Sequence, residues 1–222
     1  MIKHVIWASM IDYPGQTATV LFTGACNFNC DYCYNKTLKQ AGDMHFDNVI
    51  LPKLLERQDF VNYVILSGGE PTMDKDFDYI IDTLNKHGFI VGVHTNGSNP
   101  DKIMNNINKI DYFGIDIKTS FEKYNVVAGT NVNVDNVKKT IEFVLQSGKN
   151  YEFRTTLFPR DVNEQDVISV ANYLNDIGAK KYHLQQFYPV NGAKDIASYP
   201  EYIIGEFTRK CNEIIPTVLK TK

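Results

Sequence analysis

Three closely spaced cysteines are the residues of this chain that most directly suggest chemistry. Cys26, Cys30 and Cys33 are separated by three residues and then by two, so their thiolates can converge on one small inorganic group. A [4Fe–4S] cluster is normally held by four cysteine thiolates. Three thiolates leave one iron atom without a protein ligand, and a catalytic metal centre needs such an open position. The spacing therefore predicts a [4Fe–4S] cluster that can bind a further molecule.

The same thiols are compatible with other chemistry. They could bind zinc with a His or Asp as the fourth ligand, for instance His4 or His45, or they could be unrelated buried side chains. Disulfides are not expected, because four cysteines in 222 residues are sparse and no signal peptide opens the chain. Clustered free thiols indicate a reducing cytosol, so we expect a cytoplasmic protein. Cys211 stands alone in a predicted C-terminal helix, where we interpret it as a packing residue.

Composition and charge narrow the class of protein. The chain is 43% hydrophobic and 12% aromatic, which is typical of a globular enzyme. The net charge is −3 without a basic block, so a nucleic-acid polymer is not an expected partner. No apolar run approaches the roughly 18 residues that span a bilayer, so no membrane partner is expected. We predict one domain over residues 1–222, with a core at about 16–188 and an extension at about 199–222.

Apolar, β-branched runs alternate with helical patterns along the chain. Strands are predicted at 18–23, 61–66, 89–94, 112–118, 152–158 and 181–187. Helices are predicted between them at 47–58, 74–86, 100–108, 134–146 and 163–176. This alternation indicates an α/β fold with parallel strands and right-handed crossovers. The pattern alone is compatible with either an open doubly wound sheet or a partial barrel.

Glycine-rich and polar segments follow the predicted strands. The carboxyl ends of parallel strands carry the functional loops in either architecture. Gly68-Gly69-Glu70-Pro71 has two residues without side chains, which let the backbone approach a ligand, beside a carboxylate and a rigid proline. A tight turn before a helix is the alternative interpretation. Thr95-Asn96-Gly97 is a weaker signal, because Asn-Gly is common in turns.

Charged residues inside predicted strands are a further signal. Asp116 and Lys118 lie two residues apart and therefore share one face of the fourth strand. On a buried parallel strand such a pair suggests a site, whereas a solvated surface pair would mean little. Arg154 lies in the middle of an apolar strand and needs an anionic partner. That partner is a carboxylate of the ligand, a carboxylate that supports the ligand, or a carboxylate that forms a purely structural ion pair with Arg154.

Together these segments resemble the radical S-adenosylmethionine (SAM) superfamily. The resemblance implies that the amino and carboxylate groups of SAM chelate the free iron, and that one electron then releases a 5′-deoxyadenosyl radical. It also implies that Glu70 and the backbone beside it contact the SAM amino group, and that Asp116 and Lys118 contact the carboxylate and ribose region. The SAM-binding residues expected on this basis are Tyr32, Gly68, Gly69, Glu70, Pro71, Thr95, Asn96, Asp116, Lys118, Arg154 and Gln186.

Within that superfamily the chain is most similar to the activating proteins of anaerobic ribonucleoside-triphosphate reductases. The similarity runs from about Ile11 to Phe187 and is carried by residues 11–15, 22–28, 151–156 and 184–187. It implies an α/β single-domain fold, a partial (β/α)6 barrel, and hydrogen abstraction from a backbone glycine of the reductase. The electron is expected from flavodoxin or ferredoxin. The chain has no room after the cysteines for the ferredoxin-like module of many other activases, in agreement with this subgroup.

Two residues depart from the subgroup. His94 stands where related activases commonly carry an aspartate that binds a monovalent cation beside SAM, and a neutral imidazole is a poorer ligand for a hard cation. Tyr34 follows the last cysteine where histidine is frequent, and it could cover the cluster or simply pack.

Other functions stay open at this point. One is a radical SAM enzyme with a different glycyl-radical protein or a small molecule as substrate. Another is a non-enzymatic electron carrier or a zinc-stabilised binding domain. The segment from Tyr199 to Lys222 could be a helix that closes the barrel edge or a contact for the reductase.

Overall fold

The computed structural model describes residues 2–189 and 193–221, and one eight-stranded sheet forms its centre. The strands lie side by side in chain order: β1 Ile2–Tyr13, β2 Gln16–Thr23, β3 Tyr63–Gly68, β4 Ile90–Thr95, β5 Tyr112–Asp116, β6 Asn150–Leu157, β7 Tyr182–Gln186 and β8 Thr217–Lys220. β1 is antiparallel to β2, and each later pair is parallel. Because the order is sequential and does not reverse, the sheet is not doubly wound.

Helices connect the parallel strands. They are α1 Leu51–Arg57, α2 Phe77–Lys86, α3 Pro100–Asn106, α4 Tyr124–Ala128, α5 Val134–Gln146, α6 Glu164–Asp176 and α7 Glu201–Asn212. Val137, Ile141 and Val144 recur at helical spacing in α5 and are all buried. Asn163 and Asp166 form a capping box at the start of α6. No helix in the described part of the chain is both long and apolar enough to cross a bilayer.

The two faces of the sheet have different chemistry, because successive side chains of a strand point to opposite faces. One face packs against the helices and is apolar, with Leu66, Val93 and Ile115 almost fully buried. The other face carries a small cluster around Ile65 and Tyr112, followed by charged residues nearer the carboxyl ends of the strands. The chemically active side chains therefore lie on the concave, inner face.

The predicted α/β partial barrel is confirmed, and the six predicted strands correspond to β2–β7 of the seven parallel strands β2–β8. The edge strands β1 and β8 are not paired with each other in the described residues, so the barrel stays open. Both edge strands were missed by the prediction. In β1 several irregularities interrupt the pairing with β2, which blurs the alternation of apolar and polar residues. β8 has only four residues, too few to show a period, and it lies in the segment where only a helix was predicted.

Candidate active site at the carboxyl ends of the strands

The three cysteines lie on the loop that follows β2, with Cys30 buried and the other two half-buried. The loop is anchored at its centre, where the Asn29 amide donates to the carbonyl oxygen of Ala128 over 2.8 Å. Gly129, next to Ala128, has φ 64°, and a Cβ on it would lie 2.4 Å from the Asn29 carbonyl oxygen. The end of α4 thus supports the cysteine loop from a distant part of the chain.

Tyr32 lies inside the cysteine loop and is 5% exposed. Its ring packs on Phe158, with ring centroids 5.0 Å apart. Its hydroxyl has no hydrogen-bond partner among the described residues. An unsatisfied buried polar group costs about 1–3 kcal/mol, so this hydroxyl is suited to meet a bound molecule.

The glycine-rich loop after β3 packs directly against the cysteine loop. The Gly69 amide donates to the Thr23 carbonyl over 2.9 Å, and the Glu70 amide donates to the Ala25 carbonyl over 2.6 Å. A Cβ on Gly69 would lie 2.1 Å from the Ala25 carbonyl oxygen and 3.1 Å from the Cβ of Cys26. Only glycine allows this approach, so the two loops form one continuous wall.

Glu70 is fully buried and joins the loops that follow β3 and β4. One carboxylate oxygen accepts from the Thr72 amide at 3.2 Å, and from the hydroxyls of Thr72 and Thr95 at 2.7 Å each. The other accepts from the Asn96 amide at 2.6 Å. Burial raises the pKa of Glu70 although these donors oppose the shift. The carboxylate is thus held by donors from two loops of the protein, and its contact with SAM stays a prediction.

Asn96 connects the loop after β4 to the cysteine loop. Its side-chain amide donates to the Asn27 side-chain oxygen over 2.9 Å, and the Asn27 amide donates to the Ser98 hydroxyl over 2.8 Å. Asn27 and Ser98 were not among the predicted site residues. No local pattern marks them, because their partners lie about 70 residues away along the chain.

Asp116, Lys118 and Arg154 form one charged cluster on the inner face. Asp116 and Arg154 are direct neighbours in the pairing of β5 with β6. Arg154 donates through Nε and Nη2 to one oxygen of Asp116, at 2.9 and 2.7 Å, and Lys118 Nζ donates to the other at 3.1 Å. Asp116 is thus the anionic partner that Arg154 requires.

The charged cluster shifts the protonation of its members. Burial alone would raise the pKa of Asp116, but Arg154 and Lys118 hold that pKa well below its usual range. Burial would lower the pKa of Lys118, but Asp116 keeps it well above its ordinary value. Burial also raises the pKa of the Cys30 thiol, and the nearby Lys118 ammonium opposes that shift. Lys118 is therefore a cation that faces both Asp116 and the cysteine loop.

His94 lies beneath this cluster, at the end of β4, and is buried. Its Nε2 donates to the Asp12 carbonyl oxygen over 3.0 Å. Burial, assisted by the positive charge of Arg154, holds the pKa of His94 well below its ordinary value. The imidazole is therefore neutral near pH 7 and joins β4 to β1.

Gln186 does not join the charged cluster. It pairs with Leu157 and shares the helix-facing side of β7 with Leu184, whereas Gln185 lies on the side of Arg154. The side-chain oxygen of Gln186 accepts from the Tyr188 hydroxyl over 2.9 Å. The contact of Gln186 with SAM stays a prediction, and the register places Gln185 on the face of the charged cluster, since neighbouring residues of a strand point to opposite faces.

Two further side chains hold the cysteine loop to its surroundings. The Tyr34 hydroxyl accepts from the Tyr188 amide over 2.8 Å, so Tyr34 joins the loop to the segment after β7. Arg160 donates to Asp31 of the cysteine loop over 2.5 Å and lies 5.0 Å above the Phe158 ring. The sequence prediction missed Arg160, because a lone arginine in a polar loop carries no pattern.

A family comparison assigns the class of protein. The family model of the Radical SAM superfamily matches residues 20–174, well over half of the chain. The chain therefore belongs to the radical SAM superfamily, whose members use a [4Fe–4S] cluster and SAM.

Individual proteins resemble the chain to different extents. A Methanocaldococcus jannaschii protein, provisionally named a glycyl-radical enzyme activating enzyme, is 32% identical over 198 residues, which cover 85% of this chain and 80% of that protein. A GTP 3′,8-cyclase of Staphylococcus carnosus is 26% identical over 194 residues, which cover 79% of this chain but 55% of the cyclase. Streptococcus suis SuiB, solved bound to SAM, superposes with a TM-score of 0.68 at 14% identity, over 91% of this chain and 50% of SuiB.

The residues of the site fit the cofactors of the family. Three thiols on one loop are the expected donor set for a cluster with one open iron. Gly69 brings its backbone close to Cys26, where a small molecule beside the cluster could contact it. The Tyr32 hydroxyl, which has no partner among the described residues, is a polar atom available to the same molecule. No three or more His, Cys, Asp or Glu side chains in residues 2–189 and 193–221 are arranged to hold a single metal ion. The choice of an iron–sulfur cluster over a zinc ion rests on membership in the superfamily and not on the positions of the three thiols.

Proposed function

We propose that this protein is a radical SAM activase that generates a glycyl radical on anaerobic ribonucleoside-triphosphate reductase. The observation that carries the proposal is the relative at 32% identity, which bears the name of a glycyl-radical enzyme activating enzyme. The choice of this reductase rests on the sequence resemblance in residues 11–15, 22–28, 151–156 and 184–187. The proposal treats residues 1–222 as a single radical SAM domain in an anaerobic cytoplasm.

The cysteine loop has the first part in this function. Cys26, Cys30 and Cys33 bind the cluster, and the Asn29–Ala128 hydrogen bond sets the path of the loop between them. When bound, the cluster and SAM supply a 5′-deoxyadenosyl radical after flavodoxin or ferredoxin has donated one electron. The protein contributes binding, orientation and the exclusion of water.

The surrounding loops have the second part, which is to position SAM. The backbone beside Gly69 binds the amino group of SAM, and Glu70 fixes that backbone by holding Thr95 and Asn96. Lys118 and Asp116 orient the carboxylate and ribose region, and Arg154 fixes the orientation of the Asp116 carboxylate. A polar group that is held by fixed partners needs little reorganisation when its ligand arrives.

Electron paramagnetic resonance under strictly anaerobic conditions tests the proposal. The mixture contains the protein with its cluster, SAM, a chemical reductant and the anaerobic reductase from the same organism. We expect the doublet of a glycyl radical on the reductase. Omission of SAM, or the substitution Cys30→Ala, should remove the doublet while the protein remains folded.

The matched control is Cys211→Ala. Cys211 is a fully buried thiol in α7, outside the cysteine loop, so its loss should leave the iron content and the doublet intact. The cluster assignment is wrong if Cys30→Ala retains iron, sulfide and SAM cleavage.

A second candidate function is a radical SAM enzyme that acts on a small molecule. The relationship to GTP 3′,8-cyclases, over 79% of this chain, favours it. In the same experiment it predicts 5′-deoxyadenosine without a glycyl-radical doublet.

A further inference from the structure

A closed ring of three side-chain hydrogen bonds joins the cysteine loop to the loop after β4. The Asn96 amide donates to the Asn27 side-chain oxygen over 2.9 Å, and the Asn27 amide donates to the Ser98 hydroxyl over 2.8 Å. The Ser98 hydroxyl closes the ring, because it donates to the Asn96 side-chain oxygen over 2.6 Å. Each of the three side chains is thus a donor and an acceptor at once, and hydrogen bonds connected in this way strengthen one another.

The part of the ring on the β4 side is a fixed support. Asn96 is 5% exposed, and its backbone amide donates to the buried Glu70 carboxylate over 2.6 Å. The Gly97 carbonyl accepts from the Thr140 hydroxyl of α5 over 2.7 Å, and Thr140 is fully buried. The Ser98 backbone amide also donates to the Asn96 side-chain oxygen, over 3.0 Å, which fixes the orientation of that side chain. Three separate elements therefore determine where the support lies.

The part of the ring on the cysteine loop is exposed. Asn27 directly follows Cys26 and lies at the surface. The net contribution of a single hydrogen bond to folding is modest, so the bonds of Asn27 are not required to hold the fold together. They do fix the cysteine loop, which carries Tyr32, relative to the loop that carries Asn96. Both of these loops contain residues that are expected to bind SAM.

We propose that Asn27 and Ser98 are positioning residues for SAM, which hold the two loops in the arrangement that SAM requires. Binding is tighter when the parts of a site are already held in the bound arrangement, because the ligand does not have to order them. Neither residue has to touch SAM to act in this way. The inference rests on the SAM site of the proposed function but not on the choice of the reductase.

Anaerobic calorimetric titration of the holoprotein with SAM, without a reductant so that SAM is not cleaved, tests the proposal. Asn27→Ala and Ser98→Ala each remove two of the three bonds of the ring. We expect each variant to keep the iron and sulfide content of the unmodified protein and to bind SAM about five- to tenfold more weakly. The control is Asn105→Ala, an exposed asparagine of α3 outside the ring, which should not change the affinity for SAM.

A double variant distinguishes one ring from two independent contacts. Because both substitutions break the same ring, Asn27→Ala/Ser98→Ala should bind SAM no more than about twofold more weakly than the weaker of the two single variants. Ser98→Thr keeps the hydroxyl and should retain the affinity of the unmodified protein. If Asn27→Ala does not retain iron, Ser98→Ala decides the test, since it leaves the sequence of the cysteine loop intact.

Unchanged affinity for SAM in both single variants overturns the inference, even if their melting temperatures fall, because the ring would then be purely structural. Effects of the two substitutions that multiply in the double variant also overturn it. So does loss of iron from both single variants, since the ring would then serve the binding of the cluster. The reductase is absent from this titration, so these outcomes leave the glycyl-radical experiment, and with it the proposed function, unaffected.

Discussion

The buried charges of Arg154 and Asp116 on the inner face are not equally well compensated when one of the two residues is removed. Arg154 is nearly fully buried and has Asp116 as its carboxylate partner, whereas Asp116 also has Lys118. Removing one partner of a buried pair leaves the other charge unneutralised, and this costs more than the pair itself contributes. The cost therefore depends on which partner is removed.

We predict that Asp116→Asn destabilises the protein more than Arg154→Met does. Asp116→Asn leaves the buried Arg154 and the partly buried Lys118 side by side without their carboxylate. Because the Asp116 side chain is 34% exposed, water screens part of the repulsion, and the variant should lose about 2–3 kcal/mol of unfolding free energy. Arg154→Met leaves Asp116 paired with Lys118 and should cost less. Urea unfolding at pH 7 measures both values. Equal losses, or a larger loss for Arg154→Met, would show that Lys118 does not neutralise Asp116.

At the scale of elements, the loops after β2 and β3 depend on each other for their shape. Gly68 has φ 116°, and a Cβ on it would lie 2.3 Å from the backbone of Thr23. Gly69 is equally confined against Ala25. The glycine-rich loop is thus a spacer that sets the path of the chain into Cys26, in addition to any contact with a ligand.

We predict that Gly69→Ala lowers both stability and cluster content. The added methyl overlaps the Ala25 carbonyl, so the backbone must move, at a cost of about 1–3 kcal/mol or more. The control is Gly205→Ala in α7, where a Cβ meets nothing within 4 Å. Gly205→Ala should raise stability by about 0.5–1 kcal/mol. Thermal unfolding and iron analysis test both variants, and full iron content in Gly69→Ala would contradict the spacer role.

At the scale of the whole molecule, the concave face carries two buried histidines that stay neutral. His94 joins β4 to β1, and His183 lies among Glu152 and Lys220. Burial lowers the pKa of His183 to about 4, although Glu152 opposes the shift. An unfolded chain binds these protons near pH 6.5, whereas the folded protein does not. The histidine contribution to stability is therefore complete above pH 6.5 and is lost as the pH falls towards 4.

We predict that the unfolding free energy decreases as the pH is lowered from 6.5 to 4, by up to about 1.4 kcal/mol per pH unit for each of the two histidines. His183→Gln should show a shallower slope in this window, because only His94 of the pair then remains. Asp116 acts in a separate window, since its lowered pKa makes its contribution disappear only below about pH 4. Chemical unfolding at half-unit pH intervals measures the slopes, and identical slopes for the two proteins would contradict the prediction for His183.

Much of the fold and of the candidate site could be predicted from the sequence, because the features that indicate them are local. The cysteine spacing lies within eight residues, and the period of α5 lies within thirteen. Each site segment follows an apolar run, and parallel strands bring their carboxyl ends to one edge. The class of fold and the location of the site follow from these local patterns.

Tertiary structure alone decided the partners of those residues. Glu70 holds Thr95 and Asn96 from a neighbouring loop, and Arg160 reaches Asp31 across 129 residues of chain. Which of Gln185 and Gln186 faces the charged cluster depends on the register of β7, since a shift of one residue would reverse the face of each side chain. The edge strand β8 forms only by pairing with β7, across the intervening helix α7. Contacts of this kind depend on three-dimensional packing, and the short-range periodicity of a sequence does not encode them.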